Sequence, residues 1–150
     1  KATTQKLKAV IPKTASTANP VDMTFSKSPM DDFYTIPEIL LADANADMLL
    51  VYFLSPMIFI ERNLKNAGVE PQKIREEGQK MIDYLVESFH RVVRNQDKPV
   101  IGYTYRSIQE RLVRSLIERG IPIYQDPERA ARAMAAVLAY HRFRDRALTP

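Results

Sequence analysis

A chain of 150 residues, 45% apolar and 27% charged, has the length and make-up of a single globular domain with room for a substantial core. It contains no cysteine, which excludes disulfides, thiolate catalysis and cysteine metal sites and leaves His90 and His141 as the imidazole candidates. The net charge of +4 is made of bases mixed with acids along helical patterns, not of a basic run, which argues against nucleic acid as a partner. No apolar run approaches the roughly 20 residues that cross a bilayer, and no secretory signal opens the chain, so a cytoplasmic protein is expected.

In chain order, residues 1–12 predict a short amphipathic helix with Thr4 as N-cap, Leu7, Val10 and Ile11 on one side and Pro12 as its stop. Residues 13–28 are rich in Thr, Ser, Ala and Pro and read as loop, with Asn19-Pro20-Val21-Asp22 as an Asx-type turn. Ser28-Pro29-Met30-Asp31 is a helix start, with a cap, proline at the first helical position and acid in the first turn. The face carrying Met30, Phe33, Tyr34, Leu40 and Leu41 should be kinked or split at Pro37, and Asp43-Ala44-Asn45 ends the element.

The stretch 47–54 is continuously apolar after Asp47 and predicts a strand buried on both faces, as in parallel sheets. Ser55-Pro56 ends it. Met57 to Ile60 could be a helical turn, a lid or a packing patch for another chain, and the role of Met57 to Gly68 stays open. From Pro71 to about Gln96 a long helix repeats Ile74, Met81, Ile82, Leu85, Phe89, Val92 and Val93 at three and four. Lys98-Pro99 then opens the run Val100 to Tyr103. Ser107 to Arg119 predicts a helix with a Ser107–Glu110 capping box that buries Ile108, Leu112, Val113 and Leu116, closed by Gly120 before Ile121-Pro122-Ile123-Tyr124. The last helix is capped by Asp126, has Pro127 at its first position and turns Ala131, Met134, Ala135 and Leu138 inward before the basic tail from His141 to Arg146.

A helix between two short apolar strands is a βαβ crossover, so the strands are parallel and the loop after Tyr103 lies at the carboxyl edge of the sheet, where open α/β sheets bind ligands. The expected fold is thus an α/β three-layer α-β-α sandwich with a parallel sheet and strands near 47–54, 99–103 and 121–124. Three strands are few for this many helices, and an apolar strand at 47–54 is poorly suited to an open edge. Further strands are expected from a longer chain or from a partner.

NPVDMT at Asn19 to Thr24, LLADANADMLLVYFLSP at Leu40 to Pro56, KPVIGY at Lys98 to Tyr103 and RGIPIYQDPERAARAMAAVLAYHR at Arg119 to Arg142 follow one another over nearly the whole chain. Together they resemble the C-terminal, succinyl-CoA synthetase-like domain of NDP-forming acyl-CoA synthetases (acetate–CoA ligase, ADP-forming). The resemblance implies a partial flavodoxin-like fold, residues 1–150 as one such domain of a larger multidomain protein, and strands three to five of a five-stranded sheet. It implies a ligase that interconverts acyl-CoA, NDP and phosphate with acid, CoA and NTP through an acyl phosphate and a phosphohistidine on another domain. Neither His90 nor His141 matches that histidine.

The same resemblance places Asn19, Asp22, Ser55, Thr104, Arg106 and Ser107 along the edge that faces the phosphohistidine, where hydroxyls, helix N–H groups and a guanidinium suit a phosphate. Tyr103-Thr104-Tyr105-Arg106 stands where the family usually has a glycine-rich turn, and bulky side chains hinder close approach to phosphate. No catalytic residue and no metal ligand is assigned to the chain. The expectation is a fragment that binds no cofactor and does not turn over alone, with CoA, nucleotide and Mg belonging to the parent enzyme. Its partners would be the other domains or subunit of that synthetase, or further copies of itself. The competing reading is a regulatory or scaffold domain without ligase activity, as in chains fused to a protein acetyltransferase. A free FMN-binding flavodoxin would need a hydroxyl-rich loop after the first strand, which the sequence does not supply.

Overall fold

The structure, a computed structural model, describes residues 2–24 and 28–148. Three parallel strands, β1 (Leu49–Tyr52), β2 (Val100–Tyr103) and β3 (Ile123–Tyr124), form a sheet in the order β1-β2-β3, with Leu49 opposite Val100, Tyr52 opposite Tyr103 and Gly102 opposite Ile123. The architecture is α/β, with helices on both faces, as expected of a partial flavodoxin-like fold. On one face lie α3 (Met57–Asn66), α4 (Pro71–Arg94) and α5 (Arg111–Glu118); α6 (Pro127–Leu148) packs on β2 and β3 from the other. The open stretch after Ser55-Pro56 resolves as helix: Ile60 of α3 enters the core while Ile58 stays exposed.

The core sits between β1–β2 and α4–α5. Val51 and Phe53 point into it with Phe33, Ile60, Ile82, Leu85, Val86, Phe89, Val92, Leu112 and Leu116. The rings of Phe53 and Phe89 meet edge to face at 5.1 Å between centroids. Gly102 permits this packing. A Cβ there would lie 2.5 Å from both the Ile123 side chain and the Phe53 ring, so only glycine lets β2 pass beneath them. Two helix exits are set by glycine at positive φ, Gly68 after α3 and Gly120 after α5, each closed by the paired backbone bonds of a Schellman motif.

Several expectations are corrected. The strand expected at 47–54 is shorter and buried on one face only: Val51 and Phe53 are covered, whereas Leu50, Tyr52 and Leu54 are exposed because α6 reaches β2 and β3 but stops short of β1. The third strand is reduced to two residues, since Ile121 gives its N–H to Leu116 O in the exit from α5 and Pro122 has none to give. Helix α5 begins at Arg111, not Ser107. The Glu110 carboxylate pairs with Arg106, so the capping box does not form; Ser107 closes a turn on the Gln109 N–H and Ile108 is 47% exposed. The inward side of α6 is rotated by one residue, running through Ala130, Met134, Val137 and His141, which leaves Ala131, Ala135 and Leu138 facing outward. On α4, Met81 is exposed and Val86 takes a core position.

At the amino end, α1 (Ala2–Val10) starts before Thr4, which lies inside the helix instead of capping it. Leu7 and Ile11 pack on Ile36 in a second small cluster. The kink expected at Pro37 appears as a π-helical turn over Asp31–Thr35 that precedes α2 (Ile36–Leu41). Ser28 Oγ accepts the Met30 N–H at the start of this region, as the cap signal predicts. Within the loop expected at 13–28, residues 25–27 lie outside the described residues. At the far end of α2, Lys98 Nζ donates to Leu41 O (2.7 Å) and Asp43 O (2.6 Å), a charged cap that ties the entry of β2 to the end of that helix.

Candidate functional site

The carboxyl edge of the sheet is formed by the chain leaving β1 at Ser55-Pro56 and the chain leaving β2 at Thr104 to Glu110. Thr104 is fully buried there. Its hydroxyl donates to Phe53 O at 2.7 Å and accepts the Arg106 N–H at 3.2 Å, so it stitches the end of β1 to the loop after β2. The hydroxyl expected to face a phosphate is therefore spent on the backbone. Arg106 Nε lies 2.9 Å from Glu110 Oε1, one turn ahead, and Ser107 Oγ accepts the Gln109 N–H at 3.1 Å.

Beside these groups lies an open cleft of about 400 Å³ between α3, α4 and the loop leading into α5. Its apolar floor is Met57, Ile82 and Leu112, and Ser55 lies at the end of β1. Glycine shapes one wall: with no Cβ on Gly78, Met57 Sδ comes within 3.0 Å of where that atom would be, so α3 seats closely on α4. Arg111 fixes another by a two-pronged ion pair across to Asp83 of α4, Nε to Oδ1 at 2.9 Å, and this carboxylate raises the proton affinity of an already fully charged guanidinium.

Of the six edge residues proposed from the sequence, Ser55 and Arg106 line the cleft, and Thr104 and Ser107 lie in the adjoining loop. Asn19 and Asp22 are not among the cleft residues; their segment runs beside the small cluster of Leu7, Ile11 and Ile36 through Val21 and Met23. The Asp22 carboxylate accepts the Thr24 N–H at 2.8 Å and is held below the usual carboxylate range first by the Thr24 hydroxyl and then by that N–H. On the opposite face of the sheet, Tyr52 stacks on Tyr103 at 5.0 Å and Tyr105 meets both edge-on. Burial, followed by the neighbouring Tyr105 and Tyr52, raises the Tyr103 phenol above its ordinary range.

Sequence reasoning missed Glu61, Arg75 and Gln79, which also line the cleft. Arg75 and Gln79 are one turn apart on α4, beside its apolar stripe, a pattern that in sequence cannot be told from a solvated face. Among the described residues no cluster of three or more His, Asp or Glu side chains is arranged to hold a metal, and no helix is long and apolar enough to cross a membrane.

Comparison with known proteins relates the chain to a ligase subunit. Over 137 residues it is 29% identical to acetate–CoA ligase [ADP-forming] II subunit alpha of Pyrococcus furiosus, a match covering 91% of this chain and 26% of that one. The chain thus spans about a quarter of the length of the curated relative it matches. No family model matches, and no solved structure matches. The similarity supports a relation to ADP-forming acetate–CoA ligases.

Proposed function

We propose that this chain is one flavodoxin-like domain of an NDP-forming acyl-CoA synthetase, a cytoplasmic enzyme in which it sits against the other domains or subunit and has no turnover by itself. The observation that carries this reading is the similarity to a ligase alpha subunit along 91% of the chain. The parallel sheet accords with it. In this reading residues 1–150 belong to a larger multidomain chain, whose further strand pairs with the outer edge of β1 and whose helix covers Leu50, Tyr52 and Leu54, all exposed here. The carboxyl edge then faces the phosphohistidine of another domain. With Thr104 held by Phe53 O, the groups left to meet a phosphate are Arg106, freed from Glu110, and the Ser55 and Ser107 hydroxyls. CoA, nucleotide and Mg are held by the remainder of the enzyme.

A regulatory or scaffold domain without ligase activity is the second reading, favoured by the same loop. Tyr103 and Tyr105 stand where close backbone approach to phosphate would need small residues, and Thr104 is committed to the core. One experiment separates the two: formation of ATP from acetyl-CoA, ADP and phosphate, measured on the protein from the full reading frame. The ligase reading expects activity there, none from the 150-residue chain, and a loss of about ten-fold or more in Arg106→Ala, as for a lost charge-assisted phosphate contact. An inactive full-length protein with a stable fold rejects it in favour of the regulatory domain.

A further inference from the structure

We propose that the outer face of α6 is a docking surface for a second copy of this chain, the two helices packing antiparallel about a two-fold axis beside Val137. The surface lies on the side of α6 turned away from the sheet, so the inference does not rest on the ligase reading or on what covers β1.

Between Arg132 and Arg142 the helix carries no Asp, Glu, Lys or Arg. A helix that is uncharged on every side through two turns is normally buried all round. Here one side alone is covered: Ala130, Met134, Val137 and His141 turn toward the sheet. Half a turn round, Arg132, Ala136, Ala139 and Phe143 form a stripe that is exposed along its whole length. Phe143 is 65% exposed, and Tyr140 on the flank of the stripe 63%. Aromatic surface of this kind gains by being covered.

The charges identify the occupant, because they complement themselves in one direction only. Glu128 and Arg146 lie on one line of the helix, about five turns apart, and both are exposed. In an antiparallel pair Glu128 of each copy meets Arg146 of the other. The same register sets Arg132 over the Phe143 ring of the other copy, a cation–π contact, and Ala136 against Ala139. The pairs 128–146, 132–143 and 136–139 all have their midpoint beside residue 137, so a single two-fold axis makes every contact twice. The alanines at the crossing let the two axes approach closely. A parallel pair would instead set Arg142, Arg144 and Arg146 against their own copies. One helix–helix contact is small beside the roughly 800 Å² per partner of a standard interface, so the dimer is reversible.

The test uses the chain itself, which has no cysteine, with Leu54→Lys to remove association through β1. Under mild oxidation, Glu128→Cys mixed with Arg146→Cys is expected to form a disulfide-linked dimer about ten-fold faster than either variant alone. In sedimentation the Leu54→Lys chain should show a concentration-dependent monomer–dimer equilibrium. Phe143→Arg, a change at an exposed ring that sets like charge against Arg132, should weaken it about ten-fold or more. A mixture that links no faster than either variant alone, a Phe143→Arg chain that dimerises as tightly as its parent, or a chain monomeric up to the limit of solubility overturns the proposal. A chain that stays monomeric and binds vesicles of anionic lipid overturns it in favour of a membrane surface.

Discussion

Thr104 and Gly102 show how much of the sheet edge rests on single side chains. The Thr104 hydroxyl satisfies Phe53 O in a fully buried position, so Thr104→Val keeps the shape but leaves that carbonyl without the bond. The expected cost is about 1–3 kcal/mol, measured as a lower urea midpoint, with Thr104→Ser recovering most of it; a Val variant as stable as the parent would remove the clamp from the account. Gly102→Ala forces a methyl to within 2.5 Å of Ile123 and the Phe53 ring. Overpacking of this kind costs about 1–3 kcal/mol, and a fall in thermal midpoint reports it. In sequence, Thr104 looked like a loop hydroxyl available to a ligand. Nothing local distinguishes a hydroxyl facing solvent from one aimed at a carbonyl 51 residues earlier.

Between elements, ionic contacts set the spacing of the helices. Arg111 to Asp83 and Arg119 to Glu87 both join α5 to α4, which itself packs on the sheet. Both pairs are part-exposed, so Arg111→Ala is expected to cost only about 0.5–1 kcal/mol, and less in concentrated salt; equal unfolding midpoints of parent and variant at low salt would show the pair contributes nothing. Asp43, after α2, gives a pH signature. Its carboxyl is lowered from 3.8 to about 2, first by the Thr3 hydroxyl of α1 and then by the Asn45 N–H and side-chain amide. A folded value below the unfolded one means that this contribution is fully present above pH 3.8 and is lost as the pH falls toward about 2. Thermal midpoints measured across that window should fall less steeply in Asp43→Asn than in the parent.

At the scale of the whole molecule, the sheet is covered unevenly. One face is sealed by α3, α4 and α5, while Leu50, Tyr52 and the 61%-exposed Leu54 of the β1 segment lie open on the other. Further along α6, Leu138, Tyr140 and Phe143 are exposed as well. Exposed apolar surface beside an unpaired strand edge promotes association. The 150-residue chain is therefore expected to self-associate in sedimentation, and Leu54→Lys to shift it toward monomer without loss of stability; a monomeric parent would contradict this. The same surface connects to the proposed place in a larger enzyme, where other parts of that protein would cover it.

Local pattern determined the element types. The α4 stripe from Ile82 to Val92, the proline and Asp126 start of α6 and the glycine exit from α5 are written in neighbouring residues, because helix period, caps and left-handed turns depend on contacts within a few positions. The parallel direction of β2 and β3 followed from the helix between them. Only the tertiary structure decided that β1 is open on one face, that α6 turns Ala130 and not Ala131 inward, that Lys98 caps α2, and that Thr104 belongs to the core while Arg75 and Glu61 line one cleft. The reason is common to all of these: a side chain's partner across the fold lies tens of residues away, and the distance and angle at which two elements meet is fixed by the packing between them.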